Sequence, residues 1–303
     1  MNKIEFKNLY IFCNISLLLA AFISGLSFVA QKLGMVYVEP FTFNVLRCFI
    51  GSFCLLPALV LFKDNTKYIN SDFIKGGILA GFILFIAFSI NQYCMIYADA
   101  GKAGFITSLY ILFVPIIAVF LKHKLTSNAK IGIILATFGL YFLCAKDFTH
   151  FELWDILLLV SAFFFALHII TVSHYSKKAN AIILSILQFF TAGLFSLIPM
   201  FLFEKPTTIA IISGWKPILF IGIVVTGVAY TLQIFGHKAT KPILATLILS
   251  SEAVFAVIGG MLILNETLTI NEWSGCLIML IGIIVSQIPK KDLCKKKYKE
   301  MFR

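Results

Sequence analysis

The sequence predicts an all-α integral membrane protein with ten transmembrane helices arranged as two inverted five-helix repeats. Three observations carry this expectation. Of 303 residues, 60% are hydrophobic and 13% charged. That is about half the charged share of a soluble domain, and too little polar surface to face water on every side. Apolar runs recur along the chain, each near the roughly 20 residues a helix needs to cross a bilayer. Finally, segments half a chain apart match one another.

The runs cover 9–30, 40–62, 73–97, 103–121, 127–145, 151–173, 180–203, 216–236, 242–264 and 270–288. Lys3 and Lys7 precede the first run. That run is longer than the apolar core of a signal peptide and lacks an evident small-residue cleavage site at Gln31-Lys32, so it reads as an uncleaved span. Pro40, Pro217 and Pro242 fall near helix starts, where a missing N–H is tolerated. Pro57, Pro115 and Pro199 fall inside runs, where kinks are expected. The longest gaps, Lys63–Asp72 and Glu204–Gly214, leave no room for an inserted soluble domain.

The formal net charge of +11 would suggest nucleic acid in a soluble protein. Here its distribution is better explained by topology. With ten spans both termini share one side, and the gaps on that side, counted with the span edges, hold 19 Lys or Arg against 5 opposite; Arg47, inside span two, completes the 25. Positive charge stays inside, so both termini are expected in the cytoplasm. The basic tail 289–303, with Lys290 to Arg303, is expected to attract anionic lipid, and no nucleic-acid partner is expected. Lys outnumbers Arg 23 to 2, as in an AT-rich bacterial genome. The expected location is therefore a bacterial inner (plasma) membrane.

The cysteines Cys13, Cys48, Cys54, Cys94, Cys144, Cys276 and Cys294 form no Cys-x-x-Cys pair and read as small buried apolar residues. No His-Glu-x-x-His motif, carboxylate cluster or P-loop occurs, so neither a metal, a cofactor nor intrinsic ATP hydrolysis is expected.

The internal repeat is explicit. Gly132 to Gly139 matches Gly275 to Gly282, Leu125-Thr126 matches Leu268-Thr269, and Thr107-Ser108 matches Ser250-Ser251, all at an offset of 143 residues. Further upstream Gln92 to Ala98 aligns better with Gln233 to Ala239, two residues out of that register. The offset covers five spans, an odd number, so the second unit (151–288) crosses the membrane in the opposite sense to the first (9–145). Inverted repeats of this kind build secondary transporters, with a substrate site near the midplane between the halves.

Ala98-Asp-Ala-Gly-Lys-Ala-Gly-Phe-Ile-Thr-Ser-Leu-Tyr-Ile-Leu-Phe-Val-Pro115 resembles the first-repeat pattern of EamA-type proteins in the drug/metabolite transporter superfamily. Leu247 to Ala256, Leu264-Asn-Glu-Thr-Leu268 and Gly275-Cys-Leu-Ile resemble the second. The resemblance implies a ten-helix exporter-type fold with a central cavity lined largely by helices one, three, four, six, eight and nine. The pattern often carries a Glu before Leu at the end of span four, as Glu266-Thr-Leu does for span nine. Here that place reads His123-Lys124-Leu125.

An ionisable side chain inside a span is a functional hypothesis by default. Glu252, near the middle of span nine, reads as a partner for a substrate amine, a proton carrier or a structural hydrogen-bonding group; its repeat counterpart is Leu109. Arg47 either snorkels or glues helices, or it binds an anion, with Asn44 three residues before it on the same face. His168, with His174 just beyond, reads as a helix–helix contact or a proton relay. Gln92, Gln233, Tyr110, Tyr230 and Asn14 are uncharged polar candidates for a cavity or for helix contacts. The 32 Phe face lipid or packing, a subset being available to an apolar cavity. Gly132, Gly139, Gly275 and Gly282 are expected to permit close helix packing.

The expected function is a secondary transporter of small metabolites, amino acids or related compounds and drugs, working outward by alternating access. An uptake permease of the same fold is the alternative. The expected partners are a small-molecule substrate and the bilayer, with energy from the substrate gradient or from protons. An enzyme or lipid-handling protein would need a clustered nucleophile, acid–base pair or metal set, and the sequence displays none.

Overall fold

A computed structural model describes residues 3–61, 71–98, 100–121, 125–143, 152–178, 180–264 and 269–287. Cys144, Cys294, His123-Lys124, Glu266 and the basic tail lie outside the described residues. Those residues form helices joined by short turns, with no strand among them. Burying every backbone N–H and C=O within its own helix is what an apolar solvent demands.

The chain runs through α1 (Lys3–Gly34), α2 (Pro40–Cys54), α3 (Leu56–Leu61), α4 (Ser71–Cys94), α5 (Ala100–Ser108), α6 (Tyr110–Phe120) and α7 (Ser127–Leu143). It continues with α8 (Leu153–Tyr175), α9 (Ala181–Phe203), the short α10 (Thr208–Ser213), α11 (Trp215–Leu219), a π-helical stretch Phe220–Ala229, α12 (Tyr230–Gly236), α13 (Pro242–Leu249), α14 (Glu252–Leu264) and α15 (Ile270–Gln287). Eight stretches are long and apolar enough to cross a membrane: Asn8–Gly34, Pro40–Leu59, Ser71–Cys94, Lys102–Phe120, Leu153–Tyr175, Ala181–Phe203, Trp215–Gly236 and Pro242–Gly259. Ser127–Phe142 and Trp273–Ser286, at the fifth and tenth expected positions, are shorter apolar helices.

Of the three prolines inside apolar runs, Pro57 follows a break, since α2 ends at Cys54 and α3 starts at Leu56. Helices α6 and α9 run through Pro115 and Pro199 without interruption. The fourth span is broken instead at Leu109, six residues before its proline.

Contacts between turns define two ends of the bundle. At one, Lys32 Nζ donates to the carbonyls of Met95, Ile96 and Ala98 at 3.0, 3.3 and 2.8 Å. Beside it, Lys102 meets the buried Asp155 at 2.8 Å, and the Glu204 carboxylate accepts from Phe41 N and Thr42 N at 2.7 and 2.6 Å. We call this the Pro40 end. At the opposite, Tyr175 end, Thr240 Oγ1 donates to Asn14 Oδ1 at 2.8 Å.

The most extensive helix pairing joins α7 to α15. A methyl group on Gly139 would lie 2.6 Å from Met279 N and 2.7 Å from Gly275 O, and one on Gly132 2.7 Å from Gly282 O. The glycines singled out in the sequence therefore make the close approach expected of them. Because Gly132 faces Gly282 and Gly139 faces Gly275, the two helices run antiparallel.

Candidate functional site

Two helices are interrupted at nearly the same place in each half of the chain. The first breaks at Leu109, between α5 and α6; the second breaks at Ser250-Ser251, between α13 and α14. Added to the repeat offset, Leu109 falls on Glu252, within two residues of the second break. At both points the backbone tightens to i→i+3 bonds: Leu109 N to Ile106 O at 3.1 Å, and Ser251 N to Ile248 O at 3.1 Å. The serine hydroxyls assist, Ser250 Oγ bonding Leu247 O at 2.9 Å and Ser251 Oγ bonding Ile248 O at 2.6 Å. Such back-bonding bends helices.

The first residue after each break enters the site, and the two meet. Glu252 opens α14, where aligned peptide dipoles favour a carboxylate. Its side chain is hydrogen-bonded by Tyr110, which opens α6, and by Ser108 Oγ, the last residue of α5, at 3.3 Å. Gly25 lets α1 close on this point: a methyl there would stand 2.5 Å from Glu252 O.

Around the crossing lies a narrow cavity, partly continuous with solvent. Its walls come from α1, α2, α4, α5, α6, α8, the π stretch, α12, α13 and α14. This is the helix set implied by the family resemblance, with the second span added. Arg47 brings that span in. Arg47 is 3% exposed, so it does not snorkel to the surface. Nε donates to Thr226 Oγ1 at 3.2 Å and Nη1 to Gln31 Oε1 at 3.3 Å, while the guanidinium carbon sits 4.0 Å above the Phe88 ring. Thr226 reaches Arg47 because the π stretch packs closely on Gly51, where a methyl would lie 2.5 Å from Thr226 Cγ2. Single-turn π distortions are a common device at functional sites; here the stretch is Phe220–Ala229.

Tyr230 stands beside both charges, interacting electrostatically with Arg47 and with Glu252. Its ring is held edge-on by Phe88, Phe189 and His168, with centroids at 5.6, 5.5 and 6.1 Å. Among the described residues, neither Arg47 nor Glu252 has an oppositely charged partner.

Of the residues expected from sequence, Glu252, Arg47, Tyr110, Tyr230, Gln233 and His168 line this cavity. Two do not. Asn14 binds Thr240 at the Tyr175 end. Gln92 is fully buried away from the lining, with both amide atoms unpaired, as is Asn44. Sequence reasoning missed Ser24, Ser27 and Gln31 of α1, which recur at helical spacing on one face, and Asn91, which donates to Thr107 Oγ1 at 2.8 Å. Gln31 Nε2 in turn donates to Ser27 Oγ at 3.0 Å. The spacing of Ser24, Ser27 and Gln31 was the available signal. Asn91 lies one residue, about 100° of helical rotation, from Gln92, and the repeat alignment of Gln92 with Gln233 favoured the wrong neighbour.

The sequence matches the model of the EamA-like transporter family twice, over residues 11–145 and 152–287. An uncharacterized transporter of Archaeoglobus fulgidus is 32% identical over 284 residues, covering 92% of this chain and 86% of its own. The uncharacterized transporter YoaV of Bacillus subtilis is 25% identical over 270 residues, covering 86% of this chain and 92% of its own. One solved crystal structure shares the fold at a TM-score of 0.69 and 16% identity, over 88% of this chain and 96% of its own.

Proposed function

The chain belongs to the EamA-like transporter family, and from that premise we propose that it carries small zwitterionic metabolites of amino-acid type across a bacterial plasma membrane by alternating access. One observation supports the substrate class. A single cavity holds a buried guanidinium and a buried carboxylate, each satisfied by neutral groups only. Burying an ion without a counter-ion costs several kcal/mol. A ligand bearing both charges offsets both penalties, its carboxylate against Arg47 and its ammonium against Glu252. The apolar lining of Phe28, Phe88, Phe165, Ile169, Val225 and Leu249 suits an aliphatic or aromatic remainder.

The architecture that fits this role is ten crossings in two inverted units, 9–145 and 151–288. The matched helix breaks and the antiparallel contact between α7 and α15 support it. The 19-to-5 distribution of basic residues supports an orientation with both termini and the Tyr175 end in the cytoplasm. Export is the working direction; the same machine runs inward when gradients reverse.

The test is counterflow in proteoliposomes with labelled phenylalanine, phenethylamine and phenylpropionate. Arg47→Gln should weaken phenylalanine and phenylpropionate exchange roughly 10- to 100-fold, the equivalent of about 1.5–3 kcal/mol for a charge-assisted hydrogen bond, and spare phenethylamine. Glu252→Gln should weaken phenylalanine and phenethylamine exchange to a similar extent and spare phenylpropionate. Unaltered phenylalanine exchange in both variants would reject the zwitterion reading.

A further inference from the structure

Between the cavity and the Tyr175 end lies a group of buried polar side chains that substrate recognition does not use. His168 lines the cavity, and its Nε2 engages Gln188 Oε1 at 3.0 Å. With the amide oxygen against the ring, Nε2 carries the hydrogen and Nδ1 keeps the lone pair. Nδ1 has no partner, and neither has Gln188 Nε2. One turn beyond the cavity-lining Gln233, capping the end of α12, stands His237. It is 0% exposed, and neither of its ring nitrogens has a partner. His237 and His168 interact electrostatically, and Lys177, in the turn after α8, interacts with His237 from the Tyr175 end.

An imidazole buried only to join helices would spend its ring nitrogens on hydrogen bonds. Three of the four ring nitrogens here are unspent, and they fall in order from the cavity to one end of the bundle. The other groups packed around them carry no opposing charge. From α1 come Cys13, whose Sγ contacts Phe235 O at 3.5 Å, and Asn14, bound to Thr240. From α9 come Gln188 and Ser185, the latter bonded to Thr231 at 2.9 Å; from α12 come Tyr230 and Gln233.

We propose that His237 and His168 form a proton path between the Tyr175 end and the cavity, with Gln188 as the residue that fixes the His168 tautomer. Neutral imidazole accepts a proton on one nitrogen and releases one from the other. A proton arriving from the Tyr175 end is taken up by one nitrogen of His237 while the other passes a proton to His168 Nδ1. His168 keeps its Nε2–H on Gln188 and releases the proton from Nδ1 to the cavity, so both rings return to neutrality. The proposal rests on the transporter reading and adds the coupling ion and its route.

Two measurements on the full chain separate the proposal from that reading. In proteoliposomes, His237→Gln should abolish ΔpH-driven accumulation of labelled phenylalanine, by 10-fold or more, while leaving its counterflow unchanged. Gln188→Leu should depress accumulation in the same selective way. Accumulation that survives in His237→Gln, or a native protein that exchanges phenylalanine yet ignores a pH gradient, overturns the path. If the native protein exchanges no phenylalanine, the substrate reading fails and the path is judged by ¹⁵N-histidine spectra in nanodiscs, assigned with His→Gln variants. Ring hydrogens of His168 and His237 that exchange with water uphold it; rings that do not exchange refute it.

Discussion

Glu204 shows how a single carboxylate can organise one end of this molecule. The N-terminus of α2 follows Glu39, whose side chain makes no capping bond, so its first N–H groups need acceptors from elsewhere. Glu204, at the end of α9, accepts from Phe41 N, Thr42 N and Thr42 Oγ1 at 2.7, 2.6 and 2.6 Å. A negative charge there also suits the helix dipole. Glu204→Ala should lower stability by about 1–2 kcal/mol, the usual loss of a good cap, seen as a lower melting temperature in nanodiscs. Lys205→Ala should leave it unchanged, because Lys205 engages through its backbone N, bonded to Glu39 at 3.3 Å. At this scale, charge was the legible signal. Arg47 and Glu252 stand out inside apolar runs, and both reach the cavity. Gln31 does not stand out, because a polar residue near the end of a run reads as the end of the run. Asn44 and Gln92 do stand out, yet the structure buries both without partners.

Among elements, helix existence followed from apolar length, but helix interruption did not. The breaks at Leu109 and Ser250-Ser251 carry neither Pro nor Gly. They arise where serine hydroxyls and i→i+3 bonds replace regular pairing, a choice settled by tertiary packing. The π stretch is equally silent in sequence. The Gly-x₆-Gly pairs were legible because a repeated small residue at two-turn spacing has few uses other than close contact. Gly139→Ala should destabilise the protein by about 1–3 kcal/mol, since the added methyl meets Met279 N at 2.6 Å and backbone cannot yield as a side chain does. Gly104→Ala is the control: its methyl would meet the Phe28 ring at 3.4 Å, an ordinary contact, so thermal denaturation should be unchanged or slightly delayed.

For the molecule as a whole, the membrane character was legible in composition alone, because no soluble fold hides so much apolar surface. The side of the membrane each end occupies rests on the distribution of lysines. Ser213→Cys at the Pro40 end should be labelled by an impermeant maleimide from outside intact cells, and Lys177→Cys at the Tyr175 end only after permeabilisation. Labelling of both from one side would reverse or abolish the inferred orientation. The seam between α7 and α15 carries one further implication. Gly132 against Gly282 and Gly139 against Gly275 make it isologous: the same patch, turned by half a revolution, serves as its own mate. Nothing in such a joint requires a covalent tether, so a gene split between its halves should still yield two fragments that find each other and assemble.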